Sequence, residues 1–158
     1  MAKKTEETKK EEVKKDVYYQ AVGRRREATA RIRLYLATID RVKIGDKEHE
    51  RGKIVVNDRP IDAYFPGEVS KKKYLEPLRT TNNLDRFVVS AKIEGGGLSG
   101  QLDAFVHGVS RALLVIDSNQ YRATLKKHGF LTRDPRAKQR RKAGFAQKSR
   151  ARKQSPKR

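Results

Sequence analysis

Two groups of residues have the types and spacing to do chemistry. The first is GGGLSGQ, Gly95 to Gln101. Gly95, Gly97 and Gly100 match G-x-G-x-x-G, the turn that lays a pyrophosphate on a helix N-terminus. With Gly95 and Gly100 as its two glycines, the stretch also approaches G-x-x-x-x-G-K-[ST], the phosphate-cradling loop of nucleotide hydrolases. That loop needs a lysine for the β/γ-phosphates and a hydroxyl for magnesium. Here the two positions hold Gln101 and Leu102, so both chemical groups are absent. A dinucleotide site needs a strand after the helix, with an acid at its end. Asp117 lies at a suitable distance, but it falls between two predicted helices. The second group is GRRREATARIR, with Arg24, Arg25, Arg26, Arg31 and Arg33 within eleven residues. Guanidinium forks bind phosphate oxygens in pairs, so this cluster points to a polyanion.

Other chemistry finds less support. His49, His107 and His128 form no metal-ligating pair, and no cysteine is present. His107 falls opposite the apolar stripe of its predicted helix, so a satisfied surface or interface histidine is expected there. Ser99 sits in a near match to the G-x-S-x-G elbow, but the second glycine comes one position early. No catalytic residue, cofactor or metal is expected.

The elements that must position these residues follow from periodicity. ATARIRLYL alternates Ala30, Ile32, Leu34 and Leu36 with Arg31, Arg33 and Tyr35, which predicts a strand with one apolar and one basic face. KIVVN predicts a short strand closed by NDRP. Residues 68–79 carry Val69, Leu75 and Leu78 at helical spacing, with Pro77 near the end. RFVVSAKI alternates Phe87, Val89, Ala91 and Ile93 on one face. Leu98, Leu102, Phe105, Val106, Val109, Leu113 and Ile116 form the stripe of a helix of about five turns. Asp117 or Ser118 suits the N-cap of a further helix to about Lys127, and Gly129 the position past its end. Gly95, Gly96, Gly97 and Gly100 are expected to make a tight structural turn into the long helix. Replacing Gly97 by Val is expected to damage folding. A glycine-flanked helix start can also offer free N–H groups to an RNA phosphate.

Charge divides the chain. Of 158 residues, 39 are Lys or Arg and 19 Asp or Glu, for a net +20. Residues 1–17 mix six Lys with five acids and have only Val13 and Val17 as large apolar residues. A disordered extension is expected there. Residues 18–131 hold nearly all the apolar residues and form the expected domain. Residues 132–158 hold twelve Lys or Arg, one acid, and no Leu, Ile or Val. Such a segment cannot fold alone and is expected to be an extended basic tail. Lys71–Lys73, Lys126 and Lys127 extend the basic surface or simply keep the protein soluble. No apolar run reaches the ~18 residues of a membrane span, and MAKKTEETKKEE has no secretory or mitochondrial signal character. A cytoplasmic protein is expected. This charge calls for nucleic acid or an anionic surface as partner.

The stretches AVGRRREATARIRL, GKIVVNDRPIDAYFP, GGGLSGQLDAFVHGVSRALL and LKKHGFLTRDPRAKQRRKAGFAQKSRARKQSPKR together resemble the small-subunit ribosomal protein family S nine, over residues 18–158. The terminal Lys-Arg resembles its bacterial branch. The 1–17 extension and a long segment at 38–52 depart from the pattern. The resemblance implies an α+β fold with helices packed on one face of a small sheet, of the ribosomal S-five domain-two-like kind. It implies a place in the head of the small subunit beside neighbouring ribosomal proteins, bound to ribosomal RNA. The residues that fit this role are Arg24, Arg25, Arg26, Arg31 and Arg33, with Arg133, Arg136, Lys138, Arg140, Arg141, Lys142 and Lys148 of the tail. It further implies that the end of the tail touches the peptidyl-site tRNA. By position those residues are Arg150, Arg152, Lys153, Lys157 and Arg158. Two rival readings remain at this point: a general RNA- or DNA-coating protein and a nucleotide-using enzyme. Competition by random duplex DNA and titration with a fluorescent ATP analogue separate them.

Overall fold

A computed structural model describes residues 18–36, 41–44, 47–138 and 140. Seven strands and four helices follow in the order β1 Tyr18–Arg25, β2 Ala28–Leu36, β3 Arg41–Ile44, β4 Lys47–Glu50, β5 Ile54–Val56, β6 Arg59–Pro60, α1 Ile61–Tyr64, α2 Glu68–Thr80, β7 Phe87–Glu94, α3 Leu98–Ile116 and α4 Ser118–Lys127. The main sheet has the order β1-β2-β7-β5-β6, and β3 pairs with β4 apart from it. All its neighbours are antiparallel except β5 and β7, which are parallel. Parallel neighbours need a crossover, and α1 and α2 lie on that connection. The α+β expectation holds.

Alternation decides the faces. Ala28, Ala30, Ile32 and Leu34 of β2 are buried, together with Phe87, Val89, Ala91 and Ile93 of β7. They form one core with Phe105, Val109 and Leu113 of α3 and Leu125 of α4. Each large side chain fully buried this way stabilises by roughly 1.5–3 kcal/mol. Asp117 caps α4 by accepting the Gln120 N–H at 3.0 Å. At the other end Gly129 takes φ +75°. Its N–H reaches the Lys126 carbonyl, and the Phe130 N–H reaches that of Leu125. This is a Schellman stop.

Three residues predicted on apolar faces lie off the core: Leu36, exposed at the last position of β2, and two residues of the helix stripes. Val69 is exposed because it stands half a helical circumference away from Leu78. The buried face of α2 is Tyr74, Pro77 and Leu78 instead, and the Tyr74 hydroxyl donates to Asp62 at 2.7 Å. Leu98 is exposed as the first residue of α3, before the helix passes under the sheet. Part of the 38–52 segment is the β3–β4 hairpin. Its Ile44 packs on Tyr35 and Val88, a small second cluster.

In the glycine turn, positive φ and close approach fall at Gly95 and Gly96 rather than at Gly97. Gly95 and Gly96 have φ of +75° and +64°. A Cβ at Gly95 would lie 2.5 Å from the Glu27 carbonyl oxygen, and one at Gly96 3.1 Å from the Ala28 Cβ. Gly97 has φ −108° and ψ 168°, extended geometry open to any residue, with nothing within 4 Å of an added Cβ. Gly97 is the N-cap of α3, so the expected damage from Gly97→Val is corrected: the position has neither strain nor crowding. Gly97→Ser should leave the melting temperature unchanged or raise it slightly, because serine caps a helix a few tenths of a kcal/mol better than glycine. Gly95→Ala should lower stability by about 1–2 kcal/mol for the left-handed backbone alone, plus the carbonyl clash. Thermal melts of the two variants check this, and equal melts would refute the assignment.

Candidate nucleic-acid interface

The β1–β2 hairpin sorts its arginines by phase. Residues 25 and 28 face each other across a two-residue turn, with Arg26 at φ +52°. Arg24, Arg26, Arg31 and Arg33 are exposed. Arg25 is in phase with Ala21 and Gly23, which face the helices, and only 11% of its side chain is exposed. Its Nε lies 3.5 Å from Asp103 Oδ2 of α3, and its Nη2 2.8 Å from Asp134 Oδ2. Its Nη1 donates to the carbonyls of Asp134 and Arg136 at 3.4 and 2.9 Å. Lys73 of α2 holds the other oxygen of Asp103. Asp134 in turn accepts from the Arg136 N–H, Nε and Nη2. Those Arg136 hydrogen bonds, with the nearby Arg25 charge, hold the Asp134 carboxyl far below the usual carboxylate range. Arg25 is therefore the centre of a clasp that joins β1, α3 and the chain at 134–136.

The outer edge of β1 is covered by α3. The Arg24 N–H donates to His107 Nδ1 at 3.3 Å, and Arg111 Nη1 donates to the Val22 carbonyl. These satisfy edge groups that would otherwise invite pairing by another strand. Burial, and then the Arg111 charge, lower the His107 pKa, which favours the neutral ring whose Nδ1 can accept this hydrogen bond. The histidine fills the interface role expected of it.

Gln101 is also bound internally. Its Nε2 donates to the Gly95 carbonyl at 3.0 Å, and its Oε1 accepts from the Tyr64 hydroxyl at 2.9 Å. The side chain in the hydrolase lysine position thus braces the turn. Asp117 joins α3 to α4, and no strand follows it among the described residues. A phosphate loop of either nucleotide type is not built here.

Of the predicted tail residues, Arg133, Lys138 and Arg140 are exposed. Arg136 is 82% exposed at its side chain, yet paired with Asp134. Arg141, Lys142, Lys148, Arg150, Arg152, Lys153, Lys157 and Arg158 lie outside the described residues. The free cations of the hairpin tip and the chain beyond the clasp leave the same body, whose described helices include none long and apolar enough to cross a membrane.

A family model described as ribosomal protein S9/S16 matches residues 23–158. The chain belongs to this family. An S9/S16 protein is a structural component of the small ribosomal subunit that binds ribosomal RNA, works in translation and resides with the ribosome in the cytoplasm. The family is structural rather than enzymatic, in keeping with a glycine turn that lacks the lysine and hydroxyl of a nucleotide hydrolase.

Sequence reasoning missed three participants. Gly23 and Gly108 bring β1 and α3 into backbone contact. A glycine inside a strand and another inside a helix are the available signal. Tyr18 is 43% exposed and carries the Arg33 guanidinium over its ring at 4.9 Å. The inward phase of Arg25 was readable from Ala21 and Gly23, had β1 been recognised as a strand.

Proposed function

We propose that residues 18–131 form an RNA-binding body in the head of the small subunit, that residues 132–158 run as an extended tail through ribosomal RNA, and that the last cations touch the peptidyl-site tRNA. Residues 1–17 are assigned no contact. Arg24, Arg26, Arg31 and Arg33 serve phosphates on the body, as do Arg133, Lys138 and Arg140 at the root of the tail. Arg25 acts by fixing where that root leaves the body, and the clasp keeps Arg136 beside Asp134. The carrying observation is the charge of residues 132–158, twelve cations against one acid with no Leu, Ile or Val and Phe145 as the one large apolar residue. Such a chain orders when RNA supplies its contacts.

Small subunits reconstituted with a chain lacking Lys157 and Arg158 test the tail. Assembly and the melting temperature of the free protein should not change. The affinity of the peptidyl site for tRNA should fall, by at most about 1.5–3 kcal/mol for each charge-assisted hydrogen bond removed. Unchanged tRNA affinity in fully assembled subunits would refute the tail contact.

A further inference from the structure

The face of the main sheet turned away from α3 carries a groove of about 540 Å³. Its walls come from β1, β2 and β7 and from Asn57 and Asp58 of the β5–β6 turn, with Ile44 of the β3–β4 hairpin at one end. The strand register sorts this face into four cross-strand rows. Tyr18, Tyr35 and Val88 form the first, Gln20, Arg33 and Ser90 the second, Val22, Arg31 and Lys92 the third, and Arg24, Thr29 and Glu94 the fourth. Alternate residues place neighbouring rows about 6.7 Å apart, on the scale of one nucleotide.

We propose that this groove binds an unpaired RNA nucleotide, with its base on the Arg33–Tyr18 stack and its phosphate between Arg31 and Lys92. The proposal rests on the RNA-binding reading above and adds a site to it. Three observations support it. The Arg33 guanidinium lies 4.9 Å from the Tyr18 ring centroid, and that ring leans on Tyr35 at 5.5 Å. An arginine plane held on an aromatic ring offers its other side to a base, and unpaired bases are the ones free to stack so. Next, Arg31 and Lys92 stand directly opposite each other. Like charges in that relation destabilise a sheet. Glu94 offsets them only loosely, at 3.7 Å from each, so a phosphate has a place to bind. Finally, Gln20 and Ser90 flank Arg33 with no side-chain hydrogen bond among the described residues. Their amide and hydroxyl can pair with a base edge. The wall is rigid, because Asn57 exchanges two hydrogen bonds with the Ile93 backbone, at 3.0 and 2.9 Å.

The test uses the full chain and a short single-stranded RNA bearing 2-aminopurine, against a duplex of the same length. Arg33→Ala removes the stack. Tyr18→Phe keeps it. Lys127→Ala removes an exposed charge outside the groove. The wild-type protein should alter 2-aminopurine fluorescence, and 5-bromouridine cross-links should map to the groove strands, within residues 18–35 or 88–94. Arg33→Ala should weaken single-strand binding roughly five- to a hundred-fold, the range of one stacked base. It should weaken duplex binding no more than Lys127→Ala does, and Tyr18→Phe should bind like wild type. Equal losses for Arg33→Ala and Lys127→Ala on both RNAs would overturn the groove assignment, as would cross-links confined to residues 132–158, with RNA binding itself intact. Absence of any RNA binding by the wild-type chain would instead overturn the reading beneath it. Each variant is taken forward with a wild-type melt, which the exposed positions of Arg33 and Lys127 should permit.

Discussion

Gly23→Ala should cost the protein at least about 3 kcal/mol of stability, the upper end of ordinary overpacking. A Cβ built there would lie 2.0 Å from the Ala104 carbonyl oxygen, 2.3 Å from the Gly108 nitrogen and 2.7 Å from the Gly108 Cα. All three are main-chain atoms of α3, so no side chain can swing aside. The helix would have to lift off β1, the strand it packs on most closely, and reopen the core around Phe105 and Val109. Against a total stability of about 5–15 kcal/mol, that loss is a large fraction. Gly108→Ala should be milder. Its Cβ would meet the Ile32 Cγ1 at 2.6 Å and the Gly23 nitrogen at 3.1 Å. The closest clash is with a side chain rather than main chain, and alanine gains up to about 1 kcal/mol in helix propensity, although Ile32 is fully buried and has little room to move. Gly108→Val forfeits that gain and should fail to fold. Gly100→Ala is the control, since its nearest contacts, at 3.7 and 3.8 Å, are ordinary. It should be neutral or stabilising. Urea denaturation of the four variants measures the order, and a Gly23→Ala midpoint equal to wild type would refute the backbone contact.

The same contact explains why β1 was hard to read in the sequence. A strand announces itself by large apolar residues at alternate positions. The inward positions of β1 are Tyr19, Ala21, Gly23 and Arg25, because α3 comes too close for anything larger at Gly23. Close packing removed the signal that would have revealed it. β2 and β7 fill their inward positions with large apolar side chains, so Ile32, Leu34, Phe87 and Val89 showed their phase plainly. The stripe of α3 was legible for the same reason. The β3–β4 hairpin was not, since KEHE has no apolar position at all and Ile44 of β3 packs only in the small cluster with Tyr35 and Val88. That small cluster also explains Val88, an apolar residue out of phase with the core face of β7. At the interface, residue type was legible and geometry was not. Five arginines in eleven residues indicated phosphate, but only the strand phase separates Arg25, bound to two carboxylates, from Arg26, which faces solvent. The Gly97 error has a similar origin. Three consecutive glycines gave no indication of which two take left-handed backbone.

The affinity of the full chain for a small-subunit ribosomal RNA fragment should fall about 10³–10⁵-fold between 50 and 200 mM salt, the consequence of neutralising six to ten phosphates. The formal +20 overstates what is available. Among the described residues Arg25, Arg31, Arg136, Lys53, Lys71, Lys73 and Lys92 already have carboxylate partners. Arg24, Arg26, Arg33, Arg133, Lys138 and Arg140 are exposed without one. Those six alone reach the lower bound, and the cations beyond residue 140 carry the count higher. Removing residues 132–158 should therefore flatten the slope of log affinity against log salt by several units, at about 0.9 per lost phosphate contact on a duplex and 0.7 on a single strand. Single substitutions then separate contact from scaffold. Arg26→Gln should lower the slope by about one and weaken binding evenly across RNA sequences. Arg25→Gln should leave the slope unchanged, because its guanidinium neutralises Asp103 and Asp134 rather than RNA. Its effect should instead fall on the melting temperature and on protease sensitivity near Asp134, where the clasp is lost. Filter binding at four salt concentrations measures all these slopes. A flat response of the wild-type chain would refute an electrostatic interface, and an Arg25→Gln slope as reduced as that of Arg26→Gln would return Arg25 to the phosphate-binding set.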